Sequence, residues 1–342
     1  MRTLIVAALF GMAGVSATSP VVLGTPSAPH YHQVAVIPIG GEGGWDYLAI
    51  DPAARRLYAA HATRVVVVQA DTGEHVGEIP DTPGVHGVAL AEDLQRGFTS
   101  NGASSTVSVF DARTLKVLAR VATTGQNPDA IVYDPASHRV FTMNGRSDNA
   151  TAIDARRLEV VGTVALGGRP EFAVADGHGH LYINLEDRSE QVELDTRTLT
   201  VTRRWSLSPC QSPSGLAMDT AHRRLFAGCH NQMMAIVDAD AGRVIATVPI
   251  GRGVDANRYD PATHLVFSSN GDGTLTIVRQ LTPDRYEVAE NVRTALGART
   301  MELDPVTHRV YLATADFAPA TGAPQGRPRP VPGTFRILVF AP

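Results

Sequence analysis

A repeated phrase of about 42 residues is the feature that most constrains the fold of this chain. An Asp-Pro turn followed by a short strand with an aromatic residue recurs, most clearly from Asp51 to Tyr58 and from Asp304 to Tyr311. With the weaker copies included, the aromatic residue stands at positions 58, 98, 141, 182, 226, 267 and 311. Intervals of 40 to 44 residues are typical of propeller blades with four strands. The repeat therefore predicts seven blades.

Each repeat contains strand signals separated by turn residues. In the third repeat, an apolar run from Ala130 to Tyr133 precedes the Asp-Pro turn, and a polar turn at Asn144-Gly145 follows the aromatic strand. Such β-branched and aromatic runs bounded by Gly, Asn, Asp and Pro predict strands and hairpins, and no segment shows sustained helical periodicity. The predicted fold is all-β: a single seven-bladed β-propeller of four-stranded blades.

The N-terminal part of the chain supplies the strand that the last repeat lacks. The last repeat has three strand signals, and residues 33–39 are similar to the fourth strand of the fifth repeat. We expect this N-terminal strand to complete the last blade and close the ring, which removes exposed sheet edges. The propeller is assigned to residues 33–342. Within it, a Pro- and Gly-rich insert at residues 315–333 is either a surface loop or a lid over one face.

The first residues predict export, and export bears on the two cysteines. Residues 1–17 combine a basic start, a short apolar run and small residues before Ala17, as in a signal peptide, and residues 18–32 form a leader. The apolar run is too short to span a bilayer, so a membrane anchor is the weaker alternative. We expect a secreted, periplasmic or extracellular protein with no membrane span after cleavage. In that setting Cys210 and Cys229 predict one disulfide, with two buried free thiols as the alternative.

The charge balance argues against nucleic acid as a partner. The chain has 30 basic and 34 acidic residues and a formal net charge of -4. Phosphate binding needs a basic track, which this composition does not offer. A small-molecule ligand or a partner protein is expected instead, and the expected state is a monomer.

One mouth of the central channel is predicted to collect the reactive side chains. The position five residues before each turn aspartate lies where one blade leads into the next. The residues at this position are Asp46, His86, Asp129, Glu171, Ser214, Asp255 and Arg299. The turns between second and third strands face the same opening. They add His61, Asn101, Asn144, Asn184, Glu186, His230, Asn231, Asn270 and Asp272.

Crowded carboxylates at such a mouth must protonate, form pairs or bind a cation. The candidate metal ligands are Asp46, His86, Asp129, Glu171 and Asp255. Carboxylates together with Asn257 would suit Ca²⁺, whereas His61, His86 and His230 would suit Zn²⁺. Asp129 and Asp255 have the alternative role of capping backbone N–H groups at a turn.

The other candidates concern ligand binding and catalysis. The candidate ligand-binding residues are Trp45, Asn101, Asn144, Glu186, Asn257 and Asn270. Trp45 would stack a ligand ring, or else pack between blades. The candidate catalytic residues are His61, His86, His230 and Arg299. A cation would polarise a carbonyl, a histidine would act as general base, and Arg299 would hold a substrate carboxylate.

Three turn sequences carry a family resemblance. Phe98-Thr-Ser-Asn101, Phe141-Thr-Met-Asn144 and Phe267-Ser-Ser-Asn270 are similar to the YVTN repeat, and residues 33–341 resemble the YncE-like secreted seven-bladed β-propellers. The resemblance implies the fold and export. It leaves function open, since the family includes uncharacterised surface and periplasmic proteins, a suspected DNA binder and relatives described as lactonases.

Three functions follow in order of preference. The first is a non-enzymatic protein that binds a small ligand, a metal ion or a partner at the mouth. The second is a metal-assisted hydrolase of lactones or esters that uses the same mouth. The chain has no G-x-S-x-G, H-E-x-x-H or Walker motif. Binding of single-stranded DNA, by family analogy, is the least favoured.

Overall fold

The structure, a computed structural model, describes residues 30–318 and 329–342 together with residues 3, 4 and 7. Within this part of the chain, seven four-stranded antiparallel sheets form the blades of a propeller. The first strands of successive blades contact each other around the channel, and the last contacts the first. The all-β seven-bladed prediction is confirmed. The predicted signal peptide (residues 1–17) and leader (residues 18–32) lie outside the described residues, apart from residues 3, 4, 7 and 30–32.

Blades 1 to 3 follow the order of the chain, with the first strand at the channel and the fourth outermost. Blade 1 contains β2 (Trp45–Asp51), β3 (Arg56–His61), β4 (Arg64–Gln69) and β5 (His75–Ile79). Blade 2 contains β6 (Val85–Ala91), a 3₁₀ turn (Glu92–Leu94), β7 (Arg96–Asn101), β8 (Thr106–Asp111) and β9 (Val117–Ala122). Blade 3 contains β10 (Pro128–Asp134), β11 (Arg139–Asn144), β12 (Asn149–Asp154) and β13 (Glu159–Ala165).

Blades 4 to 6 repeat this order. Blade 4 contains β14 (Pro170–Ala175), β15 (His180–Leu185), β16 (Glu190–Asp195) and β17 (Thr200–Ser206). Blade 5 contains β18 (Pro213–Asp219), β19 (Arg224–Cys229), β20 (Met233–Asp238) and β21 (Arg243–Pro249). Blade 6 contains β22 (Val254–Asp260), β23 (Leu265–Asn270), β24 (Thr274–Thr282) and β25 (Arg285–Arg293).

Blade 7 is assembled from both ends of the chain, as predicted. Its strands are β26 (Thr300–Leu303), β27 (Val310–Thr314), β28 (Arg336–Ala341) and, outermost, β1 (His32–Pro38). β1 pairs antiparallel with β28. The preceding Tyr31 is buried, packs edge-on against Phe267 and donates a hydrogen bond to the carbonyl of His308. The closing strand is therefore anchored by side-chain packing as well as by its ladder.

The aromatic residue of each repeat lies in the core between neighbouring blades. All seven of these side chains are completely buried: Tyr58, Phe98, Phe141, Tyr182, Phe226, Phe267 and Tyr311. Sheets that pack face to face bury the inward side chains of both layers, so a large ring at the same place in every blade fills the same gap seven times. Each repeat of the sequence therefore contributes one buried aromatic side chain to the core.

Hydrogen bonds at the outer turns tie the blades together. The Asp-Pro aspartates accept hydrogen bonds from backbone N–H groups of their own turns, as at Asp51 with Ala54 and at Asp134 with Ser137. In blades 1, 2 and 3, the arginine that begins the second strand contacts the following blade. Arg56, Arg96 and Arg139 each donate a hydrogen bond to a backbone carbonyl in the turn after the third strand of that following blade. These contacts hold one blade in register with the next.

Cys210 and Cys229 form a disulfide, with their Cα atoms 5.6 Å apart. The disulfide prediction is confirmed, and both cysteines are buried. The bond links the segment before β18 to the end of β19, within blade 5. Separately, among the residues that the structure describes, no helix combines the length and the apolar character needed to cross a membrane.

The insert between β27 and β28 begins and ends as a paired stem. Phe317 and Pro330 form an antiparallel bridge, and Ala318 donates its N–H to the carbonyl of Arg329. The stem is fixed to blade 7 by an ion pair between Asp316 and Arg336, 2.8 Å long. Residues 319–328 of the insert lie outside the described residues.

Candidate functional site

Six of the seven residues predicted where one blade leads into the next lie at the same irregularity of the first strand. In each of blades 1 to 6, the register between the first and second strands shifts at this position. The residues in the shift include Asp46, His86, Asp129, Glu171, Ser214 and Asp255, and Arg299 directly precedes β26. A bulge of this kind bends the strand and redirects a side chain, so its repetition assembles a ring of polar groups. We call these seven residues the channel ring.

The neighbouring blade holds the backbone of the channel ring in place. Ser100 donates a hydrogen bond to the carbonyl of Asp129, and Ser269 donates one to the carbonyl of Arg299. Asn184 likewise donates to the carbonyl of Ser214, at 2.8 Å. Each donor belongs to the second strand of the preceding blade. The ring positions are therefore fixed by contacts between blades, which favours a preorganised site.

Blades 1 to 3 bring two carboxylates to one imidazole. His86 Nδ1 lies 2.6 Å from Asp46 Oδ2 and 3.6 Å from Asp129 Oδ1. The side chains of all three residues are between one fifth and about one quarter exposed. One ligand atom from each lies within 4.8 Å of the others, a spacing that could hold a metal ion. Asn127 accepts a hydrogen bond from the His86 ring.

The other half of the channel ring is linked through a hydroxyl and a guanidinium. The Ser214 hydroxyl lies 3.2 Å from Asp255 Oδ1 and 3.5 Å from Glu171 Oε1. Asp255 also pairs with Arg299, with 3.0 Å between Oδ2 and Nε. These contacts supply protein partners for the carboxylates of blades 4 and 6.

Crowding and burial change the protonation of the ring. Burial favours neutral His86, but the hydrogen bond to Asp46 and the charges of Asp129 and Asp46 outweigh it and raise its pKa to about 9. Burial, together with the charge of Asp46, raises the pKa of Asp129 to about 7. Burial also raises the pKa of Glu171 well above its usual value, and the charges of Asp129 and Asp255 add to this effect. The imidazole is therefore cationic at neutral pH, and burial disfavours the ionised form of Glu171.

Four residues in the channel were missed by the sequence analysis. Tyr47 packs edge-on against Phe172 with ring centroids 5.2 Å apart. Arg258 lies over the Phe172 ring and makes a bidentate ion pair with Glu302, at 2.7 and 3.0 Å. All four line a small cavity of about 70 Å³ along the first strands.

A signal for these four residues was present in the sequence. Tyr47 and Phe172 follow the ring residues of their blades, where blades 2 and 5 have Gly87 and Gly215. Arg258 and Glu302 both stand two residues before a turn aspartate, where the other blades have Ala or Val. Opposite charges at the same repeat position in adjacent blades would have predicted their pairing.

The candidate histidines do not converge. His61 is completely buried and packs against Phe335, with ring centroids 4.6 Å apart. Burial lowers its pKa, and the charge of Arg64 adds to the effect, so His61 is neutral. His230 is exposed on the turn after β19. Within the described part of the chain, the three-residue group of potential metal ligands includes His86 but neither His61 nor His230.

The candidate asparagines have their amide groups engaged inside the blades. Asn101, Asn144 and Asn270 are completely buried, and each donates to two hydroxyl groups or side chains of its own hairpin, as Asn101 does to Thr106 and Ser108. Asn257 is also buried and donates to the carbonyl of Phe226 in blade 5. Their predicted role in ligand binding stays a prediction.

Glu186 and Trp45 lie nearer the opening. Glu186 pairs with Arg169 at 2.6 Å, and its charge contributes to the raised pKa of Asp129 and of Glu171. Trp45 is half-buried and stacks on Phe335, with centroids 5.3 Å apart and an angle of 18° between the rings. One face of the Trp45 ring therefore packs against another side chain, as the packing alternative predicts. The residue also lines a cavity at the mouth.

Comparison with known proteins supports the fold alone. No family model matches the chain, and no curated protein matches it. Among solved structures, it is similar to Kuenenia stuttgartiensis hydrazine synthase, with 15% identity and a TM-score of 0.69, over 86% of this chain and 96% of that one. It is also similar to U3-55K, with 9% identity and a TM-score of 0.73, over 90% of this chain and 98% of that one.

Proposed function

We propose that this protein is a binding propeller whose channel mouth holds a divalent cation between Asp46, His86 and Asp129. The observation that carries the proposal is the spacing of their ligand atoms, all within 4.8 Å of one another. The three residues come from successive blades, so the closed ring fixes their relative positions. Their partial exposure leaves a route for an ion and for a water or ligand group to complete its coordination.

The donor set favours Zn²⁺ over Ca²⁺. One imidazole and two carboxylates match the nitrogen and oxygen ligands of zinc sites that keep an open position, whereas Ca²⁺ takes six or more oxygen ligands. His86 would bind through Nδ1, because its other nitrogen is hydrogen-bonded to Asn127. A ligating histidine usually donates its second N–H in this way, which fixes the orientation of the ring.

The test is a titration of chelator-treated protein with Zn²⁺ and, separately, Ca²⁺ by calorimetry at pH 8. We expect one equivalent of Zn²⁺ to bind and to raise the melting temperature, since an ion that binds the folded state stabilises it. His86→Ala should abolish the effect, and His178→Ala, at an exposed outer-turn histidine, should not. The proposal fails if neither ion binds, or if binding survives in both His86→Ala and Asp129→Asn.

A metal-assisted hydrolase is the second candidate. It is favoured by one observation: Glu171, whose pKa is raised by burial and by the neighbouring carboxylates, lies in the same ring as the proposed cation group. A cation would polarise a lactone or ester carbonyl, and Glu171 would serve as general acid. Hydrolysis of a panel of lactones that requires Zn²⁺ and is lost in Glu171→Gln would support this candidate. If the protein hydrolyses none of the lactones, with or without Zn²⁺, the hydrolase candidate is rejected and the proposed binding function remains.

We also propose that the chain is an exported member of the YncE-like family. The YVTN-like units and the apolar N-terminal segment support this assignment, and the disulfide is consistent with an oxidising compartment. Expression of the full chain in a bacterial host, followed by fractionation and N-terminal sequencing, tests it. We expect periplasmic protein that begins at residue 18; uncleaved protein in the cytoplasm would contradict export.

A further inference from the structure

A cavity of about 490 Å³ opens at the mouth beside the channel ring. It is lined by Trp45, Phe317, Leu296, Pro330 and Arg299, and the backbones of four glycines complete its wall. A concave, mainly apolar cavity with few polar groups is the usual form of a small-molecule site. Arg299 belongs both to this cavity and to the ring.

The aromatic wall of the cavity is held in position. Trp45 stacks on Phe335. The ring centroids of Phe317 and Trp45 lie 6.0 Å apart, and their ring planes form an angle of 48°. Phe317 is fixed in turn by its bridge to Pro330 in the stem of the insert. A wall that is already ordered loses little side-chain entropy when a ligand binds.

Among the glycines that line the cavity, Gly44 leaves room for a flat molecule to approach the backbone closely. A Cβ atom built at Gly44 would meet no atom within 4 Å, so a side chain there would project into open space. Gly253 and Gly297 have φ angles of 73° and 76°, which glycine adopts at little cost. Gly44 therefore leaves open space next to Trp45, whereas Gly297 lies against Phe317, whose ring a Cβ atom at Gly297 would meet at 2.5 Å.

The charge of the cavity selects the ligand. Of the described residues that line it, Arg299 is the one with a charged side chain, and that side chain is 46% exposed. Asp255 contacts its Nε edge at 3.0 Å. A guanidinium presents a planar set of donors that matches a carboxylate. A cationic ligand would instead be repelled by the same group.

We propose that this cavity binds a small planar carboxylic acid, with its carboxylate on Arg299 and its flat apolar body against Trp45 and Phe317. The site adjoins the proposed cation group, because Trp45 precedes Asp46, but it uses different side chains and needs no cation. It therefore specifies the chemical class of a ligand independently of whether Zn²⁺ binds.

Calorimetry with three matched probes tests this proposal on the full chain in a chelating buffer. The probes are 2-naphthoate, the neutral 2-naphthamide and the cationic 2-naphthylmethylamine. We expect naphthoate to bind at least tenfold more tightly than the amide, and the amine to bind weakest. Repeating the naphthoate titration with added Zn²⁺ separates the two proposals, because naphthoate binding and Zn²⁺ binding are measured independently and either one can be absent without the other.

Two variants probe the two parts of the cavity. Arg299→Gln should remove the preference for the acid and leave the affinity for the amide within threefold. Gly44→Leu should weaken both probes at least tenfold by filling the cavity, without disturbing the pair between Arg299 and Asp255. Arg113→Gln, at an exposed arginine on an outer turn, is the control. All variants are checked for native melting behaviour first.

The proposal is overturned by any of three results. The first is that none of the probes binds to the native protein. The second is that the amide or the amine binds as tightly as the acid. The third is that the preference for the acid survives in folded Arg299→Gln.

Discussion

The two halves of the channel ring meet the same problem of crowded carboxylates in different ways. In blades 4 to 7, Asp255 is paired with Arg299, and Ser214 lies between Asp255 and Glu171. In blades 1 to 3, two carboxylates flank the single imidazole of His86. In the first arrangement, the permanent charge of Arg299 neutralises Asp255, and a hydroxyl links that pair to Glu171. The second depends on a proton, which an ion can replace.

The two halves of the channel ring differ in their side chains, and this difference indicates where an ion would bind on an otherwise uniform scaffold. Every ring position except the last is set by the same bulge, so the backbone does not distinguish the halves. The distinction comes from side chains alone. An arginine cannot give up its proton near neutral pH, whereas an imidazole can.

The largest effect expected is the loss of Zn²⁺ binding when the half formed by blades 1 to 3 is changed. His86→Ala or Asp129→Asn should weaken binding by about 100-fold or more, because each removes one of three protein ligands. Asp255→Asn, the matched change in the other half, should alter affinity by less than about threefold. Calorimetry on the three variants makes the comparison, and equal losses in all of them would show that the halves are not distinct.

The next effect is on the pH dependence of that binding. Zn²⁺ can bind His86 only after the Nδ1 proton leaves, and the pKa of His86 is raised to about 9. Affinity should therefore fall about tenfold for each pH unit below 9, or about 100-fold from pH 8 to pH 6. Protonation of Asp129, whose pKa is about 7, should steepen the fall below pH 7. Competition with a chelator of known affinity measures this, and a flat profile would contradict it.

A smaller effect concerns folding stability in the other half. The pKa of Glu171 is raised in the folded protein above its ordinary value of 4.5, so the unfolded chain releases this proton at lower pH than the folded protein does. The carboxyl therefore destabilises the fold progressively as the pH rises above 4.5. Glu171→Gln should stabilise the protein by about 1–2 kcal/mol at pH 8 and by nothing at pH 4.

Urea unfolding of wild type and Glu171→Gln at both pH values checks this sign. A variant that is less stable than wild type at pH 8 would mean that the ionised carboxylate is well compensated in the fold. The amide of the glutamine variant would then lack a favourable interaction that the Glu171 carboxylate makes.

The smallest effect should come from Ser214. Ser214→Ala removes one hydrogen bond to Asp255, which keeps its ion pair with Arg299. We expect a loss of about 0.5–1.5 kcal/mol in the free energy of unfolding and no change in Zn²⁺ affinity. A measurable loss of Zn²⁺ binding in this variant would show that the two halves are coupled through the hydroxyl.

Alignment of the repeats predicted the channel ring because its position is set by backbone geometry that recurs in each blade. The same alignment assigned Asn101, Asn144 and Asn270 to the mouth without indicating where their amides point. Their side chains turn back to bond hydroxyl groups of their own hairpins. Turn position is a local property, but the direction of a side chain depends on the partners that tertiary packing brings near.

Departure from the repeat proved informative but not sufficient. His61 and His86 both stand out from their sister blades, and the structure brings only His86 into a polar group, since His61 is buried against Phe335. Phe335 lies far along the chain, after the insert. No local pattern could have revealed that a residue from the last blade covers the histidine.

The sequence by itself determined the number of blades and the closure of the ring, and it favoured the pairing of the two cysteines, because each depends on a period or a count along the chain. Tertiary structure alone decided which polar groups meet, as at Asp46 with His86 and at Arg258 with Glu302. The reason is physical. A repeat fixes the backbone of every blade equally, whereas ion pairs and burial depend on angstrom-scale distances between side chains of different blades.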